Sequence, residues 1–488
     1  MPVWLAIVEA MNRFAPRAYP LVRYLAIAGL MAVVGAAWAQ GSSGSRSASL
    51  ELGFGGVVVA DAWNPVRLVL RDVGPVVFEL AIDRGTLRDG ERWSVYRAEL
   101  AGGSGLSVVE DEVFVPVWRS LSWTVRSGGL TVASGSLART QADRRALDVM
   151  VGEPGPVVRG ALIGGRSVDV EADRLPLRSA AYDGVGRLII ATPAARAQAL
   201  LAAAVAGAEV VLTPAALASP DLRALLADDG GPRMVGAGRV TALDAWQSAG
   251  SAPFRVDQAA LLSAFAAAER VAPPRPPAVL PIMIGASAYA LVVLLLLRFA
   301  GVPGVVAALV LALGASLAAW APLRPERPTV DASRDLVVGA EGIGQRWRLF
   351  ERITLPAQTL VLDVSGWPLN DVDARLGPGS IEVDLPRWRH LVVVERPRSA
   401  PMPLLQQADG TWRNQGAVPL TVVAIRGGDH VEDVPPDAPV PAPERDAGPL
   451  PAVATALLEL VPFGSAVASD GRDWFVALAR ETLAEVAP

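Results

Sequence analysis

Within residues 48–145, several runs alternate apolar and polar side chains with the two-residue period of half-buried β-strands. The alternation is clearest in Leu50/Leu52/Phe54, Val66/Leu68/Leu70, Phe78/Leu80/Ile82 and Leu121/Trp123/Val125. Gly, Pro and Asp separate the runs at intervals of roughly 8–12 residues, as in sandwiches of short strands. We therefore predict an immunoglobulin-like β-sandwich over residues 48–145. Trp63 opens one strand and is interpreted as a core-edge tryptophan, with a ligand platform as the alternative.

Residues 146–270 change to strands that alternate with helices. Strands are predicted at Leu147–Val151, Val168–Glu171, Arg187–Ala191, Glu209–Thr213 and Arg233–Leu243. Helices are predicted at Pro193–Ala206, after the N-cap sequence Ser219-Pro220-Asp221, and at Gln258–Arg270. This alternation is typical of βαβ units with a mainly parallel sheet, so we predict an α/β domain over residues 146–270.

Two apolar stretches, 278–297 and 302–321, contain no charged residue and are separated by a Pro/Gly turn. A membrane-spanning helix needs about 20 apolar residues, which each stretch supplies. The sequence therefore predicts a two-helix transmembrane hairpin. Both ends of such a hairpin emerge on the same side of the membrane, so the two flanking regions are expected in one compartment.

The chain before residue 48 has the parts of an export signal. Arginines precede the apolar run Tyr24–Ala36, and Ala37-Trp38-Ala39 forms a small-residue cleavage site. We predict a signal peptide over residues 1–39, with an uncleaved anchor as the alternative, and a flexible linker over residues 40–47. Together with the hairpin, this predicts a bacterial plasma (inner) membrane protein whose N- and C-terminal domains are extracytoplasmic.

Beyond the hairpin, residues 326–431 return to strand-like runs and are predicted to form a second β-rich domain. Residues 432–451 contain many prolines and are predicted to be a semi-rigid linker. Residues 452–488 are predicted to be a C-terminal helical segment. Within it, apolar residues of Trp474–Val486 fall on one face of a helix.

Composition restricts the chemistry of the chain. The 488 residues include no cysteine and no lysine, and His390 and His430 are the only histidines. A thiolate nucleophile, a zinc ribbon, a Schiff base and a P-loop lysine are therefore excluded. The net charge of −5 and the absence of a basic run argue against nucleic-acid binding. We expect no catalytic residue, no cofactor and no metal site.

The motifs that resemble known sites are all incomplete. Gly236-Ala-Gly-Arg-Val-Thr241 lacks the third glycine of G-x-G-x-x-G and precedes a strand-like run rather than a helix. His390 and His430 have no metal-ligand or triad spacing around them. Glu110-Asp-Glu112 and Asn370-Asp-Val-Asp373 lack the oxygen spacing of a calcium loop and are predicted to be solvated loops.

Three stretches resemble a group of bacterial exported membrane proteins with an N-terminal β-sandwich and a class I glutamine amidotransferase-like domain. They are Phe54-Gly-Gly with Trp63-Asn-Pro-Val-Arg-Leu-Val-Leu70, Tyr182–Leu212, and Val235-Gly-Ala-Gly-Arg-Val-Thr-Ala-Leu243. The resemblance implies a flavodoxin-like layout for the α/β domain. An active amidotransferase needs a cysteine and a histidine, and residues 146–270 contain neither, so the resemblance implies a degenerate copy without glutamine hydrolysis.

These observations favour a non-enzymatic, membrane-anchored envelope protein that acts as a scaffold and recruits protein partners through extracytoplasmic domains. One alternative is a ligand- or glycan-binding module coupled to a transporter or sensor, which an exposed row of tryptophans would support. Another is an envelope hydrolase that uses carboxylates or a serine. That alternative fails if apolar side chains fill the carboxyl ends of the strands in residues 146–270.

Overall fold

The computed structural model describes residues 47–87, 90–137, 141–144, 146–155, 166–248, 256–269, 287, 289–295, 298, 303–307, 310, 314, 330–354, 358–369, 374–385, 389–427, 430–441 and 449–479. Within these residues the chain is mainly β-sheet, with short helices between strands.

The N-terminal region consists of strands in two main sheets and one short parallel pair of two strands. The strands are β1 (Ser47–Leu52), β2 (Val58–Val59), β3 (Ala62–Val73), β4 (Val76–Leu87), β5 (Gly90–Leu100), β6 (Gly103–Val115), β7 (Ser120–Ser127), β8 (Leu130–Leu137) and β9 (Gln141–Ala142). Strands β1, β3 and β6 form one antiparallel sheet, and β5, β4, β7 and β8 are neighbours in another. Alternate apolar residues of the two sheets, such as Leu68 and Leu70 against Phe78 and Leu80, share one buried core.

The middle region is an α/β unit. Its elements are β10 (Leu147–Val151), β11 (Arg166–Val170), β12 (Val185–Ile190), α1 (Ala197–Val205), β13 (Glu209–Leu212), α2 (Pro220–Arg223), β14 (Arg233–Val235), β15 (Gly238–Ala242), α3 (Leu243–Ser248) and α4 (Gln258–Ala268). Single 3₁₀ turns occur at Ala172–Arg174, Ser179–Tyr182 and Ala216–Ala218. The sheet order is β11-β10-β12-β13-β15-β14, and only β14 is antiparallel to its neighbour. Its parallel strands therefore follow the 2-1-3-4-5 order of flavodoxin-like sheets.

The C-terminal region contributes a large mixed sheet and several strands that lie outside this sheet. Its elements are β16 (Val330–Ala340), β17 (Ile343–Thr354), β18 (Gln358–Leu362), β19 (Gly366–Pro368), β20 (Ala374–Leu376), β21 (Ile381–Leu385), β22 (Arg389–Glu395), β23 (Arg398–Pro401), β24 (Leu404–Gln406), β25 (Trp412–Asn414), β26 (Leu420–Ile425), β27 (His430–Val434), α5 (Ala452–Leu458), β28 (Ala466–Ser469) and β29 (Trp474–Ala477). The main path of this sheet is β19-β22-β17-β16-β29-β28-β26-β27, and β23 pairs with β17 outside it.

The N- and C-terminal regions share a sheet and a core. Strand β20 pairs in parallel with β5, placing Ala374 opposite Ser94 and Leu376 opposite Tyr96. Strands β21 and β18 continue from β20, which gives a seven-stranded sheet in the order β18-β21-β20-β5-β4-β7-β8. Leu391 and Val393 of β22 lie in the same apolar cluster as the N-terminal strands. The two predicted β regions are therefore one packed body, although residues 146–325 lie between them along the chain.

The predicted transmembrane hairpin is wrong, and the fold-class prediction that included it is wrong with it. No helix among the described residues is long and apolar enough to cross a membrane. The assignment to the bacterial plasma membrane depended on spans at 278–297 and 302–321, so it is overturned by the same finding. Apolar length alone does not identify a membrane helix, because buried helices have the same composition. Helix α1, for example, contains only Ala, Leu, Val and one Gln, and it lies in the core of the α/β unit.

Within the predicted C-terminal helical segment, 452–488, the first residues form helix α5, but the helix predicted at Trp474–Val486 starts as a strand. Trp474–Ala477 forms β29, which lies between β16 and β28 inside the large sheet. All four residues of β29 are buried, because a central strand is covered on both faces. Strand β27 runs into the segment predicted as a Pro-rich linker. The predicted signal peptide, residues 1–39, lies outside the described residues.

Candidate ligand-binding cavity

A cavity of about 490 Å³ lies where the N-terminal strands, the α/β unit and the large C-terminal sheet meet. Ligand pockets in proteins commonly measure about 300–1,000 Å³ and combine apolar walls with a few polar groups. The lining residues come from nine separate segments of the chain. The main ones are Trp63, Arg84, Phe114, Arg144, Asp183, Ser263, Ala266, Trp347, Trp367 and Val394.

Aromatic rings from two sheets form one wall of this cavity. Trp63 of β3 and Phe114 of β6 are direct cross-strand partners, and their rings meet edge to face at 5.8 Å between centroids. The Phe114 ring stacks in turn on Trp367 of β19 at 5.0 Å. Trp347 of β17 is also part of the lining. Such pairs stabilise by about 0.5–1.5 kcal/mol beyond area burial, so the wall is a fixed surface.

Helix α4 forms the opposite wall and leaves the space open. Ala259, Leu262, Ser263 and Ala266 line the cavity at the i, i+3, i+4 and i+7 spacing of one helical face. The other face buries larger side chains, including Phe265, against the C-terminal sheet. Because most cavity-facing side chains of α4 are small, the helix packs on the sheet without filling the gap beside the tryptophans.

Polar groups at the rim join the N-terminal sheet to the α/β unit. The Arg144 guanidinium lies 2.6 Å from the buried Asp183 carboxylate and also donates to the Asp61 carbonyl oxygen at 2.9 Å. The second Asp183 oxygen accepts the backbone N–H of Trp63 at 3.3 Å. These contacts fix the loop that carries Trp63. A second arginine of the lining, Arg84, has its guanidinium carbon over the Trp367 ring, 5.7 Å from the ring centroid.

A charged cluster lies beside this cavity, on the same strand as Phe114. Arg396 bonds both Asp111 at 2.6 Å and Glu112 at 2.8 Å, and Arg178 bonds Glu112 at 3.1 Å. The Tyr96 hydroxyl donates to Asp111 at 2.6 Å. The cluster therefore links β5 and β6 to the α/β unit through Arg178 and to the C-terminal sheet through Arg396.

Burial dominates the electrostatics of this cluster. Loss of solvent raises the pKa of Glu112 above its ordinary value, although Arg396 and Arg178 oppose that shift. Burial and the neighbouring Asp111 carboxylate also raise the pKa of Tyr96. Both groups thus favour their neutral forms more than they do in water. Since the two carboxylates are matched by two arginines, we interpret the cluster as a clamp between the three regions.

The acidic run Glu110–Glu112 is not the solvated loop that was predicted. It lies on β6, and two of its members belong to the charged cluster. Within the part of the chain that the structure describes, no group of three or more His, Cys, Asp or Glu side chains is placed to hold a metal ion. The segment Asn370–Asp373 lies outside the described residues.

The glycines of Gly236-Ala-Gly238 turn a β-hairpin and do not open a helix. Strands β14 and β15 pair antiparallel, with Val235 opposite Gly238. Gly236 has a φ of 61°, a left-handed conformation that favours glycine. A side chain at Gly236 would clash with the Val205 backbone at the end of α1, and one at Gly238 would clash with the Ala208 carbonyl oxygen just after it. Close packing of the hairpin against α1 therefore explains the glycines, without a nucleotide.

The two histidines lie far apart in the large sheet. His390 is on β22 and His430 is on β27, six strands away along the path. Because five strands lie between β22 and β27, the sheet does not bring the two histidines together as neighbours in one triad or metal site. The His430 side chain is buried, and its Nε2 atom lies 4.0 Å from Glu432.

The carboxyl ends of the parallel strands are filled. Val151, Ile190 and Leu212 are cross-strand partners at the ends of β10, β12 and β13, and all three are fully buried. In flavodoxin-like sheets, ligands bind outside this edge. The filled edge is the outcome that argues against a hydrolase in residues 146–270.

Among the side chains that the structure describes on the N-terminal strands, the tryptophans do not form an outward-facing row. Trp118 is buried, Trp123 is partly buried, and the Trp93 side chain lies outside the described residues. Comparisons with protein-family models, curated proteins and solved structures find no match to this chain. The resemblance to exported amidotransferase-like proteins therefore stays a prediction.

Sequence reasoning singled out Trp63 but missed the other components of the cavity. Phe114, Trp347 and Trp367 lie on separate strands, and nothing in their local sequence connects them. The small residues of α4 were visible as an Ala-rich helix, yet only the neighbouring tryptophans show what the small side chains leave open.

Proposed function

We propose that this chain is a non-enzymatic binding protein for a small, largely apolar ligand, held in the aromatic cavity. The observation that carries the proposal is the open space of about 490 Å³ between the tryptophan wall and helix α4. Interiors of proteins are close-packed and rarely leave such a gap beside large aromatic rings. A site assembled from three regions is also a common place for ligand binding.

The other predicted functions have less support. Filled strand ends argue against the hydrolase, and buried tryptophan rings argue against a glycan stacked along the outer surface. Recruitment of protein partners stays a prediction. Ligand binding is therefore the function we retain, with the ligand in this cavity and not along an outer row of tryptophans.

The proposal is tested by filling the cavity. Ser263 is exposed, lines the cavity and contributes no buried packing, so Ser263→Trp places an indole in the open space while the helix keeps its core face. The probe is N-phenyl-1-naphthylamine, a neutral aromatic molecule whose fluorescence increases in apolar surroundings. We expect saturable binding at one site in the wild type, weakened about tenfold or more by Ser263→Trp, equivalent to about 1.4 kcal/mol.

The matched control is Ala264→Trp, on the same helix but outside the cavity lining. Its probe affinity should equal that of the wild type, and circular dichroism should show that both variants are folded. Equal probe affinity in Ser263→Trp and Ala264→Trp would contradict a site in this cavity.

A further inference from the structure

A smaller cavity lies between the N-terminal strands and the α/β unit, and it shares no lining residue with the aromatic cavity. Its volume is about 280 Å³, just below the usual range of ligand pockets, which suits a small ligand. One wall is the three-stranded sheet β1-β3-β6. The other wall is the segment between β11 and β12, which includes Arg174, Leu177 and Arg178.

Three charged side chains form a row across the sheet wall. Arg67 of β3 is the direct cross-strand partner of both Glu51 on β1 and Glu110 on β6. Direct partners lie on the same face of a sheet, so the cavity meets an arginine between two glutamates. The other wall adds Arg178 and Arg174, which lies 3.5 Å from Glu51. The cavity therefore presents charged groups of both signs.

The guanidinium of Arg67 has no hydrogen-bond acceptor among the residues that the structure describes. Its Nε atom is buried without a partner, and its charged contact is Glu110 at 3.7 Å, which is too long for a hydrogen bond. A guanidinium carries five N–H donors, and buried polar groups without a partner are rare in proteins. The Arg67 side chain lines the cavity and is 30% exposed, so an anionic group of a ligand can reach it.

A carboxylate lies beside this arginine and is open to solvent. Glu110 is 66% exposed, and its contact within the described part of the chain is the long ion pair with Arg67. A cationic group bound to Glu110 would therefore not have to displace a hydrogen-bonded protein partner. Phe54, Val170 and Leu177 supply apolar lining in the same cavity. A ligand that fits this lining carries one charge of each sign and a short apolar group.

We infer that this cavity binds a small zwitterion with an apolar side group, of the size of a free α-amino acid. Arg67 binds the carboxylate of this ligand, and Glu110 binds its ammonium group. A purely anionic ligand would meet the glutamates of the row, and a purely cationic ligand would meet the arginines. The inference concerns a separate site and does not depend on the proposed function.

Three matched probes test the inference by isothermal titration calorimetry. They are L-leucine, 4-methylpentanoate, which lacks the ammonium group, and 3-methylbutylamine, which lacks the carboxylate. We expect the wild type to bind L-leucine about tenfold or more tightly than either analogue, because each charged hydrogen bond contributes. Arg67→Gln should weaken L-leucine binding by about 10- to 100-fold and leave 3-methylbutylamine within about twofold. Glu110→Gln should weaken L-leucine binding about fivefold and leave 4-methylpentanoate within about twofold, because an exposed ion pair contributes less.

The control variant is Arg126→Gln, which removes an arginine from a similar ion pair between neighbouring strands, 3.6 Å from Glu79 and outside the cavity lining. It should leave L-leucine binding unchanged, and circular dichroism should show that all three variants are folded. The inference is overturned if the wild type does not bind L-leucine, or binds it no more tightly than the two analogues. Equal weakening of L-leucine and 3-methylbutylamine by Arg67→Gln would also overturn it. The proposed function stands in each of these cases, because its probe and its Ser263→Trp variant test the other cavity.

Discussion

The charged cluster beside the cavity provides a sharp test of how the three regions are held together. Replacing Arg396 with glutamine removes the guanidinium that bonds Asp111 and Glu112 at once. The Arg396 side chain is 17% exposed, and those of Asp111 and Glu112 are 18% and 6% exposed. Little solvent can therefore replace the lost contact.

The expected loss follows from what each carboxylate retains. Removing one partner of a buried ion pair typically lowers the free energy of unfolding by about 3–5 kcal/mol. In the variant, Asp111 still accepts the hydrogen bond from the Tyr96 hydroxyl, and Glu112 still bonds Arg178. We therefore expect a loss at the lower end of this range. We expect Arg396→Gln to lower the free energy of unfolding by about 3 kcal/mol at pH 7.

The loss should shrink as the pH falls. Burial already raises the pKa of Glu112, and removing Arg396 takes away the largest opposing influence. A carboxyl group whose pKa is raised by folding contributes stability below its unfolded pKa of about 4.3 and loses it as the pH rises through the folded pKa. The difference between variant and wild type should therefore be largest near pH 7 and decrease toward pH 4.5.

The assay is urea unfolding at several pH values, followed by tryptophan fluorescence and by circular dichroism to check that the transitions coincide. Arg178→Gln is the matched control, because it contacts the same carboxylates through a side chain that is 62% exposed. Exposed pairs contribute at most about 1 kcal/mol. A loss for Arg396→Gln that equals the Arg178→Gln loss, or that does not change with pH, would refute the reasoning.

Two further predictions concern the α/β unit. Gly238→Ala should lower the free energy of unfolding by about 1–3 kcal/mol, because the new methyl group clashes with the Ala208 carbonyl oxygen. The control is Gly103→Ala, whose new methyl group meets no atom within 4 Å. Equal free energies of unfolding for the two variants would contradict this account. Glu209→Gln should cost about 3–5 kcal/mol in urea unfolding, because it leaves the buried Arg239 without its carboxylate, and an unchanged midpoint would show that the pair is not needed.

Much of the local structure could be predicted because its signals are local. Alternating side chains identify β3, β4 and β7, since one face of each strand contacts the core and the other does not. Helix α4 begins at Gln258 as predicted and is capped by Asp257, which accepts the Ala260 N–H. By contrast, Trp474–Ala477 is a run of four buried residues, and such a run has no period that separates a strand from a helix.

The arrangement of the regions could not be predicted, because it depends on pairs that are distant in the chain. Arg396 and Glu112 are 284 residues apart, and neither lies in a pattern that indicates the other. The pairing of β20 with β5 is equally remote, so predicting the two β regions separately missed their common sheet. The aromatic cavity exists only after these regions dock, which is why no local motif indicated it.

The cavity and the charged cluster are linked through strand β6. Glu112 and Phe114 are two residues apart, and side chains at this spacing in a strand point to the same face. Arg396 holds Glu112 while Trp367, which precedes it on β19, stacks on Phe114. The same C-terminal docking therefore supplies both the counter-charge for the cluster and the second half of the aromatic wall. Each wall is thus anchored outside the cavity, so the proposed ligand would meet walls that are already held in place.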